Sequence, residues 1–360
     1  MTRSLLSVVA TADNFPLYAI PPSSPPSPYV PFHLTLSDHL NHLSPLGLLR
    51  QDVIREMKEI SSKWEKEGEE GIWEFEENGK PDETGNWLSE ITCVYFNENL
   101  VKKGSNELGK VMAKVARSWK DQGKFPGPLA GWRDELYTIY ASPKSSGLQQ
   151  SAKSSQSGSF DNVAFNLERA ACALFGLATF GVHMTAYEGE GVNMKVWVPR
   201  RSKTKATWPG KLDNSVAGGI TAGSTPLETI VKECDEEASL PEDLVKRYIK
   251  NRGVATYFYI TEDGFLQPEV EYIYDLPLPP SNSAEYVRPA PHDDEVESFA
   301  LLTIPELIGA LHSGDMKPNC GLVYVDFLIR HGLITPETEP NFLEITWRMK
   351  RTLGVAMPGI

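Results

Sequence analysis

Ala217-Gly-Gly-Ile-Thr-Ala-Gly-Ser-Thr-Pro-Leu-Glu-Thr-Ile-Val-Lys-Glu-Cys-Asp-Glu-Glu-Ala-Ser-Leu240 is the stretch on which the reading of this 360-residue chain turns. Glycines at 218, 219 and 223 precede a helix start. Thr225 is placed to cap that helix, Pro226 suits its first position, and Glu228 completes a capping box with Thr225. Leu227, Ile230, Val231, Cys234 and Ala238 are its expected buried stripe. Glu233, Glu236 and Glu237 stand at i, i+3 and i+4 and share a neighbouring stripe. Three crowded carboxylates repel one another unless a cation joins them. Hard divalent ions take oxygen ligands, and Mg²⁺ is usually shared between carboxylates and substrate phosphates. An acidic helix face is commonly no more than a solvated surface. A glycine loop immediately before the capped helix separates this cluster from that common case.

The register resembles the Nudix box. That pattern runs Gly, five residues, Glu, seven residues, then Arg-Glu-apolar-any-Glu-Glu-any-Gly-apolar. Here Gly218 is followed at the same spacing by Ser224 and by Lys232-Glu233-Cys234-Asp235-Glu236-Glu237-Ala238-Ser239-Leu240. Ser224, Lys232 and Ser239 depart from the pattern, whereas the three glutamates keep it. Lys232 retains a charge able to orient a glutamate but lacks the bidentate fork of arginine. The resemblance implies an α/β (α+β) fold: a Nudix α/β/α sandwich with a mixed sheet. It also implies a Mg²⁺ site, with Mn²⁺ an expected substitute, made by the Gly218 carbonyl, Glu233, Glu236 and Glu237. Catalytic work is then expected of Glu233, Glu236, Glu237 and Lys232.

The flanks narrow the resemblance. Phe175-Gly, Gly181-Val-His-Met-Thr-Ala-Tyr187, Lys195-Val-Trp-Val-Pro-Arg-Arg-Ser-Lys-Thr-Lys205 and Trp208-Pro-Gly-Lys-Leu-Asp-Asn-Ser-Val-Ala-Gly-Gly219 resemble the thiamine-pyrophosphokinase-related Nudix hydrolases of fungi and plants. Members of that family carry an extra N-terminal domain. They cut thiamine diphosphate, and preferentially its oxidised or damaged analogues, to the monophosphate. The substrate expected here is therefore a small organic diphosphate. Basic residues Arg200, Arg201, Lys203, Lys205 and Lys211 lie between Pro199 and Leu212 without one acidic residue, a local reversal that suits a diphosphate. A solvated loop explains any single one of them equally well. Trp208 and Tyr187 are candidate ring partners for a thiazolium cation, although core or surface packing is the commoner role of each. His183, in a strand pattern, reads as a structural histidine. In the acidic run His292-Asp-Asp-Glu-Val-Glu297, Glu295 or Glu297 is a candidate downstream base or further metal ligand, with a solvated turn as the alternative.

Other activities fit less well. Isopentenyl-diphosphate isomerases share this fold but need a cysteine soon after the Asn of a related segment, and Asn214-Ser-Val-Ala217 has none. A non-catalytic diphosphate sensor would have no need of the intact glutamates. Another nucleoside-diphosphate-linked substrate stays open, because the box does not identify the leaving group.

The rest of the chain frames this domain. The 35 basic and 48 acidic residues give a net charge of −13, which excludes a nucleic-acid binder working through bulk charge. No apolar run reaches the roughly 18 residues of a membrane span. Cys93, Cys172, Cys234 and Cys320 form no CxxC pair, so a reducing compartment is expected, and the weakly basic, short apolar start does not read as a secretory leader. A cytoplasmic location follows as the expectation.

Residues 1–141 are expected to form a small α+β domain without visible chemistry. It would have a proline-rich surface loop at 16–31, helices over 46–66 and 106–120, and strands at 71–75, 91–96 and 136–140. Eight serines in 142–159 predict a flexible linker. The Nudix domain is expected over 160–345, with a hairpin from 181 to 198, more strands near 254–260, 269–275 and 297–302, and helices at 226–238, 241–250, 304–312 and 321–331. Residues 346–360 are left as a tail. The sequence leaves the oligomeric state open.

Overall fold

A computed structural model describes residues 3–17, 29–81, 87–148, 160–205 and 207–359. The elements run α1 (Leu6–Ala12), β1 (Tyr29–His33), α2 (Leu36–Leu40), β2 (Gly47–Arg50), α3 (Gln51–Lys66), β3 (Trp73–Pro81), β4 (Trp87–Phe96), α4 (Glu98–Lys102), α5 (Ser105–Asp121), α6 (Pro126–Leu129), β5 (Leu136–Tyr140), β6 (Val163–Glu168) and α7 (Arg169–Cys172). They continue β7 (Thr179–Glu188), β8 (Lys195–Arg201), β9 (Val216–Gly219), α8 (Pro226–Ala238), α9 (Glu242–Tyr248), β10 (Lys250–Ile260), β11 (Leu266–Pro277), β12 (Val296–Thr303), α10 (Ile304–Ser313), α11 (Pro318–Arg330) and α12 (Phe342–Arg348).

The C-terminal half is an α/β/α sandwich on a mixed sheet of order β10-β11-β7-β8-β12, with β9 added to β7. β7 and β8 form the expected hairpin, pairing Tyr187 with Val196. β11 runs parallel to β7, and β9 runs antiparallel to it. Even positions of β7 (Val182, Met184, Ala186) bury against Ile230, Val231 and Cys234 of α8. The opposite face is covered by α10, α11 and α12. Alternating strand residues against helix stripes are what such a layered core requires.

The N-terminal half has its own sheet, of order β2-β1-β4-β3, packed on α3 and α5. Two sequence expectations fail here. The helix expected over 46–66 is split, because Gly47–Arg50 pairs with β1 as a strand before α3 begins. The proline-rich loop also ends early: Pro31 lies inside β1. The ladder with β4 is recorded only at Phe32 and His33, so Pro31 owes no amide to that neighbour. Residues 18–28 of that stretch lie outside the described residues.

Contacts cross the boundaries drawn from sequence. Leu5, Val9 and Ala12, at the start of the chain, bury into the core made by α10 and α11. β5 pairs with β6 across the serine-rich stretch, joining Tyr137 to Leu167. Ser142 and Ser145 are themselves buried, and the Ser145 hydroxyl donates to Asp38 Oδ2 at 2.6 Å. The expectation of flexibility over 149–159 lies outside the described residues. The stretch read as a tail is packed too: Leu353, Val355 and Ala356 are buried, and the Ala356 amide donates to Pro45 O at 2.7 Å. Among the described residues no helix is long and apolar enough to cross a membrane.

Candidate active site

The glycine-rich turn and α8 fold as their residues dictate. Thr225 Oγ1 accepts the Glu228 amide at 3.2 Å, while Glu228 Oε2 accepts the Thr225 amide at 2.9 Å, so the capping box closes in both directions. Ser239 ends the helix with φ 54°, the left-handed position usually given to glycine. The expected stripe is buried except at its start. Leu227, in the first turn, is exposed. With that stripe on β7, the glutamate side of α8 faces a cleft of ≈ 490 Å³.

Glu233, Glu236 and Glu237 all line this cleft beside Gly218 and Gly219 of β9. Gly218 has no room for a side chain: a Cβ there would lie 2.5 Å from Glu233 Oε1 and Cδ. Glu237 is 9 % exposed and accepts the Ala217 amide at 3.1 Å. Burial, then the charges of Asp213 and Glu233, push its carboxyl up to about 8. Burial also pushes Glu233 up to about 7, with Lys232 opposing and Glu236 reinforcing the shift. Lys232 reaches Glu236 at 2.7 Å along the same helix. The three carboxylates are not drawn within 4.8 Å of one another. Like charges spread apart: only Lys232 pairs with one of them directly, and Lys205 acts on Glu233 and Glu237 through its charge alone. An all-oxygen set whose charge is costly to bury fits a hard divalent cation.

The basic segment divides. Arg201, Lys205 and Trp208 line the cleft. Arg201 is buried, paired with Asp213, and donates to the Thr207 carbonyl at 2.9 Å. Lys205 pairs with Glu295, which also lines the cleft. Burial raises the Glu295 carboxyl, but the hydrogen bond and charge of Lys205 outweigh it, and the net shift is downward. Trp208 is 38 % exposed, with φ 52°. Arg200, Lys203 and Lys211 do not line the cleft. Arg200 turns to Asp315 at 3.1 Å, Lys211 donates to the Gly314 carbonyl at 2.9 Å, and Lys203 is exposed. Glu297 is exposed and outside the cleft as well. Tyr187 is 8 % exposed and packs edge-on against Phe327 and His331. It shares the His183 face of β7 but stands four residues farther along, roughly 13 Å away at strand rise, beneath α11.

Several cleft residues were not singled out from the sequence. Lys317 and Asn319 come from the start of α11, and Glu269, Glu271 and Tyr257 come from β10 and β11. The N-terminal half contributes Arg133, Glu135 and Tyr137. His183, read as structural, is buried in the floor: Nδ1 meets Asn214 Oδ1 at 2.6 Å and Nε2 lies 3.4 Å from Glu271 Oε1. Burial disfavours its charge, yet Glu271 more than compensates and holds it protonated. Tyr257 donates to Glu271 Oε1 at 2.8 Å and also contacts Glu269. Among the described residues, Glu271 Oε2 is buried without a hydrogen-bond partner. No local pattern marks these residues, since the parallel β7–β11 pairing joins segments about 90 residues apart.

Residues 176–319 match the family model of the NUDIX domain. The chain is 42% identical over 237 residues to the uncharacterized protein YJR142W of Saccharomyces cerevisiae, covering 62% of this chain and 63% of that one. It is 33% identical to Nudix hydrolase 20, chloroplastic, of Arabidopsis thaliana, over 78% of this chain and 66% of the relative. To Nudix hydrolase 24, chloroplastic, of the same plant, it is 34% identical over 70% of this chain and 62% of the relative. The chain thus spans a little under two thirds of each relative's length. With the box, the capped helix and the sandwich in register, residues 176–319 are a NUDIX domain.

Proposed function

We propose that the chain hydrolyses the diphosphate of a small organic substrate, thiamine diphosphate or its oxidised analogues, to the monophosphate and orthophosphate. The observation that carries this reading is one cleft holding the three box glutamates together with cations from three segments: Arg201 and Lys205, Lys317, and Arg133. Glu233, Glu236, Glu237 and the Gly218 carbonyl would hold Mg²⁺, or Mn²⁺ in its place. The ion would neutralise phosphate oxygens and lower the pKa of a bound water. Arg133 and Lys317 bind the phosphates, and Lys205 screens them from Glu295. Glu237, which lines the cleft with the other box glutamates, accepts the proton of the attacking water. Lys232 orients Glu236.

The organic group lies toward Trp208 and the β11 floor. A ring amino group suits Glu271 Oε2, a buried acceptor in want of a donor. An oxidised ring without the thiazolium charge forfeits cation–π attraction worth about 0.5–2 kcal/mol, so the preference for it rests on shape and hydrogen bonds. The isomerase alternative gains no cysteine from the fold, because all four are buried and none lines the cleft.

A panel of diphosphates with Mg²⁺, read by phosphate release, tests the proposal. Thiamine diphosphate or an oxidised analogue is expected to lead in kcat/KM. A nucleotide sugar or dinucleotide ahead by tenfold, about 1.4 kcal/mol of discrimination, overturns the thiamine reading and keeps the hydrolase. No turnover of any member, with binding retained, makes the domain a sensor.

A further inference from the structure

A second group of ligand-bearing side chains lies in the N-terminal sheet, away from the cleft. β1 and β4 run parallel with His33 opposite Tyr95. Cys93, two residues before Tyr95, therefore shares the His33 face of the sheet. α2 begins three residues after His33 and carries His39 over that face. The two imidazole rings lie 5.3 Å apart at 66°. One ligand atom from each of His33, His39 and Cys93 falls within 4.8 Å of the others. Three donors around one ion need this kind of spacing, since Zn–S and Zn–N bonds are about 2.0–2.3 Å long.

The second observation is a want of partners. His33 is 3 % exposed, and its Nδ1 is buried with nothing to bond among the described residues. A structural histidine at that depth normally has its ring nitrogens satisfied. Cys93 is fully buried, and among the described residues its thiol reaches only the neighbouring Val94 carbonyl, at 3.6 Å. A neutral imidazole keeps one ring nitrogen free to coordinate. Glu76, directly across from Cys93 on β3, and Asp38 on α2 set negative charge around the group. One Asp38 oxygen, Oδ1, is also buried without a partner.

We propose that His33, His39 and Cys93 form a Zn²⁺ site that ties β1, α2 and β4 together. Two nitrogens and a sulfur select a borderline-soft ion, in contrast to the all-oxygen glutamates of α8. On binding, the Cys93 S–H bond breaks, its proton passes to solvent, and the thiolate bonds to the metal, while both histidines bind neutral. The bound site carries a net single positive charge, which Glu76 and Asp38 offset. Three protein ligands leave the fourth tetrahedral position to water, and the ion would fasten a short helix to two strands.

The test uses the full, metal-stripped chain in saturating Mg²⁺, titrated with Co²⁺ and then Zn²⁺. Wild type is expected to develop a thiolate-to-cobalt charge-transfer band at one equivalent, to lose it when Zn²⁺ displaces Co²⁺, and to melt at a higher temperature with Zn²⁺ bound. Cobalt at the glutamates of α8 gives no thiolate band. Cys93→Ser abolishes the band. His39→Gln, at a half-buried helix position where the fold is retained, weakens Zn²⁺ binding at least tenfold and removes the Zn²⁺-dependent rise in melting temperature. No band in wild type, an undiminished band in Cys93→Ser, or wild-type Zn²⁺ affinity in His39→Gln overturns the proposal.

Discussion

Replacing Gly218 by alanine probes the proposed centre without removing any charged group. The new Cβ would lie 2.5 Å from Glu233 Oε1 and Cδ, about 0.9 Å inside the 3.4 Å at which ordinary contact begins. The backbone there is paired with Val182 of β7, so the Glu233 side chain gives way rather than the strand. A displacement near 1 Å at a reacting centre costs on the order of a hundredfold in rate. Gly218→Ala is therefore expected to lower kcat/KM for the best diphosphate by about tenfold to a hundredfold and to raise the Mg²⁺ concentration at half-maximal rate. Stability should hold or rise slightly, because alanine loses less backbone freedom on folding than glycine. The assay is phosphate release across a Mg²⁺ series, with a thermal melt of the same sample. Wild-type turnover with an unchanged Mg²⁺ dependence would refute the placement of Glu233 at the metal.

Glu236→Gln and Glu237→Gln are each expected to cut kcat at least about a hundredfold at saturating Mg²⁺, with circular dichroism unchanged; full activity in both sinks the site. In metal-free protein, Glu233 and Glu237 bind protons more tightly folded than unfolded, so their contribution to stability falls as pH rises from about 4.5, the ordinary glutamate value, through about 7 and about 8. Melting temperatures in EDTA should decline across that window, and Glu237→Gln should flatten the decline; a rise instead contradicts the buried carboxylates. Ser145→Ala removes a buried hydrogen bond to Asp38 and should cost about 1–2 kcal/mol in urea unfolding, whereas no change would mean that the start of the serine-rich stretch is not held. Arg133→Ala should raise KM for the diphosphate several-fold with a smaller change in kcat, and the reverse pattern would remove Arg133 from the phosphates.

The box was legible because its information is local. Spacing along one helix places Glu233, Glu236 and Glu237 on one side, and Thr225 with Glu228 marks where that helix starts. The hairpin of β7 and β8 followed from alternation and a glycine turn in the same way. Depth along a strand was not legible: alternation puts Tyr187 and His183 on one face but says nothing of where the cleft ends. The basic run failed for a related reason. Five cations in a loop look alike until the fold gives Arg200 to Asp315, Lys211 to a carbonyl, and only Arg201 and Lys205 to the cleft. Lys317, Glu271 and Arg133 reach the same cavity from distant segments, and no periodicity links them. Serine content misjudged the start of the linker, because Ser145 answers a buried carboxylate that composition cannot see.

Tyr137, on β5, sets its phenol against Gly219: an added Cβ would overlap the hydroxyl oxygen, its nearest atom, and lie 2.8 Å from Cζ. The residue allowed at position 219 is thus decided by a side chain 82 positions earlier, in the half of the molecule that carries none of the box. Any side chain larger than hydrogen at 219 meets the Tyr137 hydroxyl, so that ring must move or a shorter residue must stand at 137. Such exchanges would reshape one wall of the cavity while leaving every glutamate in place. A lineage could in this way change what the cavity admits through its N-terminal half, with the box glutamates inherited intact.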